Sequence, residues 1–184
     1  MQRRRLLAAG AAVCAMPACG PLRAETGFDV QPWPANQVAP KQLSGQEPGR
    51  NWVLADMRGR AVLINFWASW CEPCRQEMPS LQRLAASRAQ ELTVLTVNFK
   101  DAPRSAEPFM AQTDLQLPVV RDGDGALARQ WGVRVFPSTV LIDSEGVVRS
   151  TVRGAIDWMG PAAQQIIQSL LKRVPAVAAP GLAP

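Results

Sequence analysis

The spacing of apolar and polar residues predicts a strand, a helix and a second strand in the first half of the chain. Residues 61–67 form an apolar, β-branched run, which is typical of a strand buried on both faces. Residues 72–88 repeat apolar side chains at helical spacing, and residues 92–98 are again rich in β-branched residues. This order predicts a β–α–β unit with a right-handed crossover, in which the two strands lie parallel.

The second half of the chain predicts a different pairing. Residues 138–143 and 147–152 flank Ser-Glu-Gly, and this combination favours an antiparallel hairpin. An apolar stripe over residues 158–174 predicts a closing helix. Shorter elements are predicted between the two halves: a helix over 105–113, a peripheral strand over 117–120 and one or two helical turns over 126–131.

The same pattern divides the chain into a folded domain and flanking segments. Residues 39–174 are predicted to form the domain, which starts with a short hairpin over 39–54 that turns at 47–50. Residues 25–38 are proline-rich, show no period and are interpreted as a linker. Residues 175–184, rich in alanine and proline, are predicted to be a disordered tail.

The first 24 residues have the layout of a targeting segment. An arginine run at 3–5 precedes a short apolar stretch and small residues, which predicts a secretory signal and a periplasmic location. The apolar stretch is too short for a transmembrane helix. Cys19 follows Met-Pro-Ala, which resembles a degraded bacterial lipobox, so a lipid anchor at Cys19 is one interpretation. The other is that Cys14 and Cys19 are small apolar residues of a discarded leader.

Charge and composition exclude several classes of function. The formal net charge is +5, but four of the 20 basic residues lie within residues 1–24, and the rest of the chain carries a net charge of +1. No basic stripe with interleaved aromatic residues remains, so we predict no nucleic-acid partner. The chain has no histidine, which removes most zinc, haem and catalytic-triad schemes.

The candidate chemistry lies where the predicted strand 61–67 meets the predicted helix 72–88. Cys71 and Cys74 stand at this junction, separated by two residues. The unpaired N–H groups and the positive dipole end of a helix N-terminus stabilise a thiolate, and a thiolate is the species that attacks a disulfide. We therefore predict redox chemistry in which Cys71 is the exposed attacking cysteine. Cys74 is the more buried resolving cysteine, which closes a Cys71–Cys74 disulfide.

Two simpler interpretations of the cysteine pair are weaker. A zinc site needs four ligands, and the other cysteines, Cys14 and Cys19, lie in the leader, so no metal site is predicted. A purely structural disulfide that closes so short a loop adds little stability. Catalytic cycling of the pair is therefore the interpretation that the spacing favours.

These motifs together resemble the thioredoxin fold. A strand, Trp-Cys-x-x-Cys and a helix come first, residues 135–139 (Val-Phe-Pro-Ser-Thr) open a hairpin, and a helix closes the domain. More narrowly, the chain resembles the TlpA/ResA-like periplasmic thiol–disulfide reductases, a group that includes cytochrome c maturation proteins. The resemblance covers residues 39–174. It implies an α/β fold with a central mixed β-sheet flanked by helices, an N-terminal hairpin and a central insertion over 101–120.

The resemblance also implies roles for single residues. Glu77 matches an active-site glutamate of the group, and Asn65 stands where cytoplasmic thioredoxins have a buried aspartate. The proline of the family that corresponds to Pro137 is cis and packs beside the disulfide. We therefore assign Glu77 and Pro137 to the catalytic site together with the two cysteines. Trp70 and the backbone of Phe136 are assigned to substrate binding, the latter by strand-like pairing with a partner peptide.

The predicted function is the reduction of protein disulfides outside the cytoplasm, with cytochrome c maturation as one use. No dissociable cofactor is implied. The predicted partners are disulfide-containing proteins and an upstream dithiol reductant, which in the family is usually a membrane protein. Two alternatives belong to other classes: a thiol peroxidase, although peroxiredoxins have threonine where this chain has Ala68, and a metal-delivery protein, which would need a histidine ligand.

We predict that Cys74→Ser traps partner proteins as covalent adducts, because Cys71 still attacks while the mixed disulfide cannot be resolved. The measurement is the recovery of adducts that a reductant releases, after incubation with disulfide-containing protein and non-reducing electrophoresis. Cys71→Ser is the matched control and should trap nothing. Adducts with Cys71→Ser and none with Cys74→Ser would reverse the two roles.

Overall fold

A six-stranded mixed sheet forms the centre of the protein in the computed structural model, which describes residues 27–44 and 51–172. In chain order the strands are β1 (Asp29–Pro32), β2 (Gln42–Ser44), β3 (Asn51–Val53), β4 (Ala61–Trp67), β5 (Leu92–Phe99), β6 (Val119–Asp122), β7 (Ser138–Ile142) and β8 (Val148–Arg153). Strands β2 and β3 pair as a separate hairpin, and the others form the sheet in the order β1-β8-β7-β4-β5-β6. Strands β4, β5 and β6 are parallel, whereas β7, β8 and β1 add in antiparallel fashion.

Within residues 27–44 and 51–172, four α-helices and one 3₁₀ turn accompany these strands. They are the 3₁₀ turn Leu54–Met57 and the helices α1 (Glu72–Ser87), α2 (Pro103–Gln112), α3 (Ala126–Gln130) and α4 (Pro161–Leu171). Each of α1, α2 and α4 has a proline in its first turn, where the missing N–H would have had no partner within the helix. Among the helices of the described residues, none combines the length and the apolar character needed to cross a bilayer.

Strand β4 is buried on both faces and divides the core into two clusters. Leu63 and Trp67 face the cluster that contains residues of α1, α2 and α4. Ile64 and Phe66 face the opposite cluster, which contains residues of α3 and the β2–β3 hairpin. Each buried large apolar side chain contributes about 1.5–3 kcal/mol relative to its exposed state. Because Leu63 and Trp67 of β4 pack in the same cluster as the buried side chains of α1, this burial holds the helix against the sheet.

The predicted fold class is confirmed. The apolar run 61–67 is β4, the β–α–β unit is β4-α1-β5, and residues 138–153 form the antiparallel pair β7–β8. The predicted N-terminal hairpin is β2–β3. The central insertion 101–120 contains α2, whose Phe109 stacks on Trp67 with ring centroids 4.4 Å apart.

The interpretation of residues 25–38 as a linker is wrong for part of that segment. Residues Asp29–Pro32 form an edge strand, in which Val30 lies opposite Val152 of β8. Three of the four strand residues are exposed and one is half-buried. The segment therefore lacks the alternation of apolar and polar residues by which a strand is predicted from sequence. Backbone pairing creates this strand, and an edge position tolerates Pro32, which cannot donate a hydrogen bond.

The closing helix also begins later than the predicted residue 158. Gly160 is the N-cap of α4 and Pro161 is its first residue, because a proline disfavours helical geometry in the residue before it. Trp158 instead lies in the preceding loop and is fully buried. The predictions for the signal segment 1–24, the turn at 47–50 and the tail 175–184 lie outside the described residues.

Gly154 provides a test of how β1 docks. Its φ is +88°, and a side chain there would collide with the backbone of residues 27–28 just before β1. We predict that Gly154→Ala destabilises the protein by more than the left-handed strain of about 1–2 kcal/mol. Gly59→Ala is the matched control, since Gly59 has a φ of +95° but no atom near the added methyl group. Urea unfolding of both variants measures the difference, and equal losses would show that β1 does not depend on this contact.

Candidate active site

The two cysteines sit at the beginning of α1 and are joined by a disulfide. Cys71 is the N-cap of the helix, with φ −92° and ψ 98°, and its Sγ accepts a hydrogen bond from the Cys74 N–H at 3.2 Å. A helix N-cap normally offers an oxygen to these unpaired N–H groups. Here the acceptor is sulfur, and an N–H placed in this way favours a thiolate over a thiol.

The prediction of an exposed Cys71 is wrong in degree. Cys71 is 5% exposed and Cys74 is fully buried. The Cys71 sulfur faces the Cys74 N–H in the first turn of α1. Cys71 is still the more accessible of the two cysteines.

The residues assigned to substrate binding meet beside Cys71. The Trp70 ring, 65% exposed, stands edge-on to the Phe136 ring with centroids 5.7 Å apart. Phe136 in turn contacts Phe99 with a centroid distance of 4.7 Å. The Phe136–Pro137 peptide bond is cis, as the resemblance implies, and Val135 before it is exposed. The loop before Cys71 and the loop before β7 thus share one apolar surface.

An acidic side chain that sequence reasoning missed holds the loop before Cys71. Asp101 accepts hydrogen bonds from the backbone N–H and the hydroxyl of Ser69, at 2.6 and 2.9 Å, and from the Asn98 side chain at 2.7 Å. The carboxyl ends of the parallel strands β4 and β5 lie at one edge of the sheet, and polar residues that follow such strands gather there. That rule could have found Asp101.

Glu77 lies one turn beyond Cys74 on the buried face of α1 and is 3% exposed. Its Oε1 accepts a hydrogen bond from the indole Nε1 of Trp158. The backbone N–H of Trp158 also donates to Ser80 Oγ at 3.1 Å. Trp158 is thereby bonded to two residues of α1, and sequence reasoning missed it because it lies 81 residues from Glu77.

Asn65 occupies the sheet beneath α1. It lies on the same face of β4 as Leu63 and Trp67, it is fully buried, and its Nδ2 donates to Thr139 Oγ1 of β7 at 2.9 Å. Thr139 is also its direct cross-strand neighbour. The Asn65 amide is also a neighbour of Glu77 and favours its carboxylate form.

Burial raises the pKa of Glu77 from its ordinary value of 4.5 to about 8. The Trp158 indole, which is bonded to Oε1, opposes this shift, as do the neighbouring Asn65 side chain and Ile156 backbone, but together they do not cancel it. A carboxylate removed from water is costly unless charges or hydrogen bonds compensate for it. At neutral pH the Glu77 carboxyl therefore carries a proton in the disulfide form.

The arrangement combines an anion-stabilised sulfur, a buried second sulfur and a carboxyl with a pKa near neutral. These are the parts needed for thiol–disulfide exchange with proton transfer. In the part of the chain that the structure describes, no group of three or more His, Cys, Asp or Glu residues is arranged to hold a metal ion. Glu72 and Arg75 form an exposed ion pair at the start of α1, with the Arg75 side chain over the Phe109 ring.

Comparisons with known proteins agree with this fold and chemistry. The sequence profile of the AhpC/TSA family matches residues 34–151. Thioredoxin-like protein YneN of Bacillus subtilis is 39% identical over 112 residues, which cover 59% of this chain and 63% of YneN, so the chain spans less than two thirds of that relative. Thiol:disulfide interchange protein DsbE of Pseudomonas aeruginosa is 33% identical over 144 residues, 74% of this chain and 76% of that protein.

Two further comparisons point the same way. Thiol-disulfide oxidoreductase ResA of Geobacillus thermodenitrificans is 34% identical over 120 residues, 65% of this chain and 69% of ResA. The crystal structure of a putative thiol:disulfide interchange protein DsbE from Chlorobium tepidum superposes with a TM-score of 0.64 at 34% identity, covering 73% of this chain and 96% of that one.

The raised pKa of Glu77 predicts a pH-dependent stability. The folded protein holds the Glu77 proton more tightly than the unfolded chain, so this group lowers the free energy of unfolding as pH rises from about 4.5 to about 8. The loss is at most about 1.4 kcal/mol per pH unit in that window. Glu77→Gln keeps an acceptor for the Trp158 indole and cannot ionise. The free energy of unfolding of the variant, relative to that of the wild type, should therefore increase as pH rises.

Urea unfolding of the two disulfide-bonded proteins across this pH range measures the difference. Glu107→Gln, which removes an exposed carboxylate on α2, is the control for the loss of a carboxylate far from the cysteines. A difference between Glu77→Gln and the wild type that does not change with pH would mean that the Glu77 pKa is not raised by folding.

Proposed function

We propose that this chain, which belongs to the AhpC/TSA family and is a thiol–disulfide oxidoreductase of the DsbE/ResA type, reduces disulfide bonds of partner proteins outside the cytoplasm. The observation that carries the proposal is the Cys71–Cys74 disulfide at the start of α1, where the Cys74 N–H is directed at Cys71 Sγ. A sulfur held in this way is an effective thiolate after reduction.

The reaction consists of two exchanges. The Cys71 thiolate attacks one sulfur of the partner disulfide, an S–S bond forms between the proteins, and the other partner sulfur leaves as a thiolate that takes a proton from water. Cys74 then loses its proton and attacks Cys71 Sγ, which releases the second partner sulfur. Two electrons have passed to the partner, and an upstream dithiol protein restores the Cys71/Cys74 dithiol.

Glu77 is the proposed proton acceptor for Cys74. A thiol buried as Cys74 is has a raised pKa and attacks slowly unless a base removes its proton. Glu77 lies at i+3 on the same buried face of α1, and its pKa of about 8 suits transfer near neutral pH. In the disulfide form it holds the proton and can return it to Cys74 when the upstream reductant opens the disulfide.

The partner is proposed to bind the surface that Trp70, Val135 and Phe136 form beside Cys71. The exposure of Trp70 and Val135 supports this proposal, because large apolar side chains left in water mark binding surfaces. The residues around Pro137 would pair with an extended segment of the partner that contains its disulfide.

The location and the pathway are part of the proposal. The targeting layout of residues 1–24 supports a periplasmic position, with attachment to the membrane through the N-terminus as one arrangement. The likeness to ResA and DsbE supports a reductive role, with cytochrome c maturation proteins as candidate partners and a membrane dithiol protein as the electron source.

The test of the function is an insulin-reduction assay with a dithiol donor, combined with the redox potential of the Cys71/Cys74 pair measured against glutathione. A reductase should accelerate insulin reduction and show a potential below that of the glutathione pool. Peroxide consumption and copper binding are measured on the same preparation. A potential above that of glutathione would make the protein an oxidant, and rapid peroxide turnover would favour the peroxidase.

For Glu77 we predict slower resolution in Glu77→Gln, by at least about tenfold, because the base that accepts the Cys74 proton is lost. The same change removes a negative charge and should lower the apparent pKa of both thiols. The lifetime of a mixed disulfide formed with excess substrate and the pH dependence of alkylation measure the two effects. Glu107→Gln is the control. Wild-type values for Glu77→Gln in both measurements would remove Glu77 from the mechanism.

A further inference from the structure

A cavity of about 280 Å³ lies between α1 and the segment that follows β8. Its buried wall includes Glu77, Ser80 and Ile156. Its rim is formed by exposed side chains, namely Gln76, Arg83 and Asp157. The space is much larger than one water molecule requires, and it is lined by the several polar groups that ordered water needs.

Glu77 lines this cavity, and one of its carboxyl oxygens lacks a hydrogen-bond partner among the described residues. Oε1 is bonded to the Trp158 indole, whereas Oε2 is fully buried and has no hydrogen-bond partner among the described residues. An unpaired buried oxygen of this kind is destabilising, because it has lost its hydrogen bonds to water without replacing them. Water that enters the cavity from the rim would satisfy it and would also exchange protons with it.

The rim of the cavity extends along α1 away from the sulfurs. Cys71 caps the first turn of α1, and the proposed partner surface at Trp70 and Phe136 surrounds that end. The rim residue Arg83 lies twelve residues further along the helix, which corresponds to about 18 Å at the rise of an α-helix. Gln76, five residues after Cys71, lies near the sulfurs, so the end of the cavity at Arg83 is the part that would stay in contact with solvent beneath a bound partner.

We propose that this cavity is the route by which Glu77 exchanges its proton with solvent while a partner protein covers the two cysteines. The proposal rests on the proposed function, in which Glu77 accepts the proton of Cys74. The proton moves from Cys74 Sγ to Glu77, Cys74 Sγ bonds to Cys71 Sγ, and the partner sulfur leaves with the electron pair of the broken bond. Glu77 then exchanges this proton with water in the cavity, so that its protonation returns to equilibrium with the solvent while the partner is still bound.

The charged groups around the cavity suit this role. Arg83 and Asp157, of opposite sign, are its charged lining residues besides Glu77. Trp158 and Asn65, which contact Glu77 from the loop and from the sheet, are neutral. None of these residues places a charge in direct contact with Glu77 that would fix the carboxyl in its protonated or its ionised form.

The test is a stopped-flow pH jump on the oxidised protein, followed by tryptophan fluorescence. A jump from about pH 6 to about pH 9.5 brackets the Glu77 pKa of about 8. Because the Trp158 indole donates to Glu77, ionisation of Glu77 changes its surroundings. The phase that disappears in Glu77→Gln is the Glu77 relaxation.

Two variants close the cavity. Ala155→Leu fills it from its wall, and Gln76→Phe covers it from the exposed face of α1, where substitutions rarely disturb folding. Each should slow the Glu77 relaxation by about tenfold or more. With the cavity filled or covered, the proton can leave only when the surrounding structure opens locally, which happens less often. Ala126→Leu fills a separate cavity of about 240 Å³ at the start of α3 and is the matched control that should leave the relaxation unchanged.

A relaxation at the wild-type rate in both variants would overturn the route. A relaxation that slows when Cys71 of Cys74→Ser carries a covalently bound partner protein would also overturn it, since the proton would then be leaving past the sulfurs. A wild-type lifetime of the mixed disulfide in Glu77→Gln is a separate failure, which would remove the proton acceptor of the proposed function. Slow relaxation in the two variants with an unchanged Ala126→Leu supports the route.

Discussion

The first turn of α1 has backbone N–H groups that no preceding turn can satisfy, and the Cys71 sulfur is the acceptor that one of them receives. This interaction defines the geometry of the site, because it places Cys74 close enough to form a disulfide. The remaining structure keeps the helix end in place. Strand β4 is buried on both faces and delivers the chain to Cys71, and Asp101 ties down the intervening loop through Ser69.

Beneath this turn, polar groups replace part of the apolar core. Glu77, Asn65 and Thr139 are all buried, although carboxyl, amide and hydroxyl groups are costly to remove from water. Their hydrogen bonds, with Trp158 as a further donor, reduce that cost without eliminating it. The part of the desolvation cost that these hydrogen bonds do not offset raises the pKa of Glu77. A carboxyl with a pKa in this range can exchange protons with a thiol near neutral pH.

Trp158 shows how the loop after β8 contributes to the site. It contacts Glu77 through its indole and Ser80 through its backbone, and it is fully buried. The same loop lines the cavity beside Glu77. Helix α1 thus presents the sulfurs at its first turn and the proposed proton route along its side, so that binding of a protein partner and loss of a proton need not compete for one opening.

The sequence alone determined the architecture where the signal is local. Each local pattern indicates the environment of its own segment. The structure has β4 at the apolar run 61–67, α1 at the helical period 72–88 and the β7–β8 hairpin around the turn residues between 143 and 147. The position of Cys71 and Cys74 at a helix N-terminus followed in the same way. The family resemblance added Glu77 and Pro137 as candidates, and their roles stay predictions.

The remaining features became visible in the folded structure. It showed Asp29–Pro32 as an edge strand, Cys71 as nearly covered and Trp158 as the partner of Glu77. Each of these features depends on contacts between segments far apart in the chain, such as backbone pairing with β8 or a hydrogen bond across 81 residues. A local pattern of apolar and polar residues describes which side of a segment is buried, but it does not specify which distant group buries it.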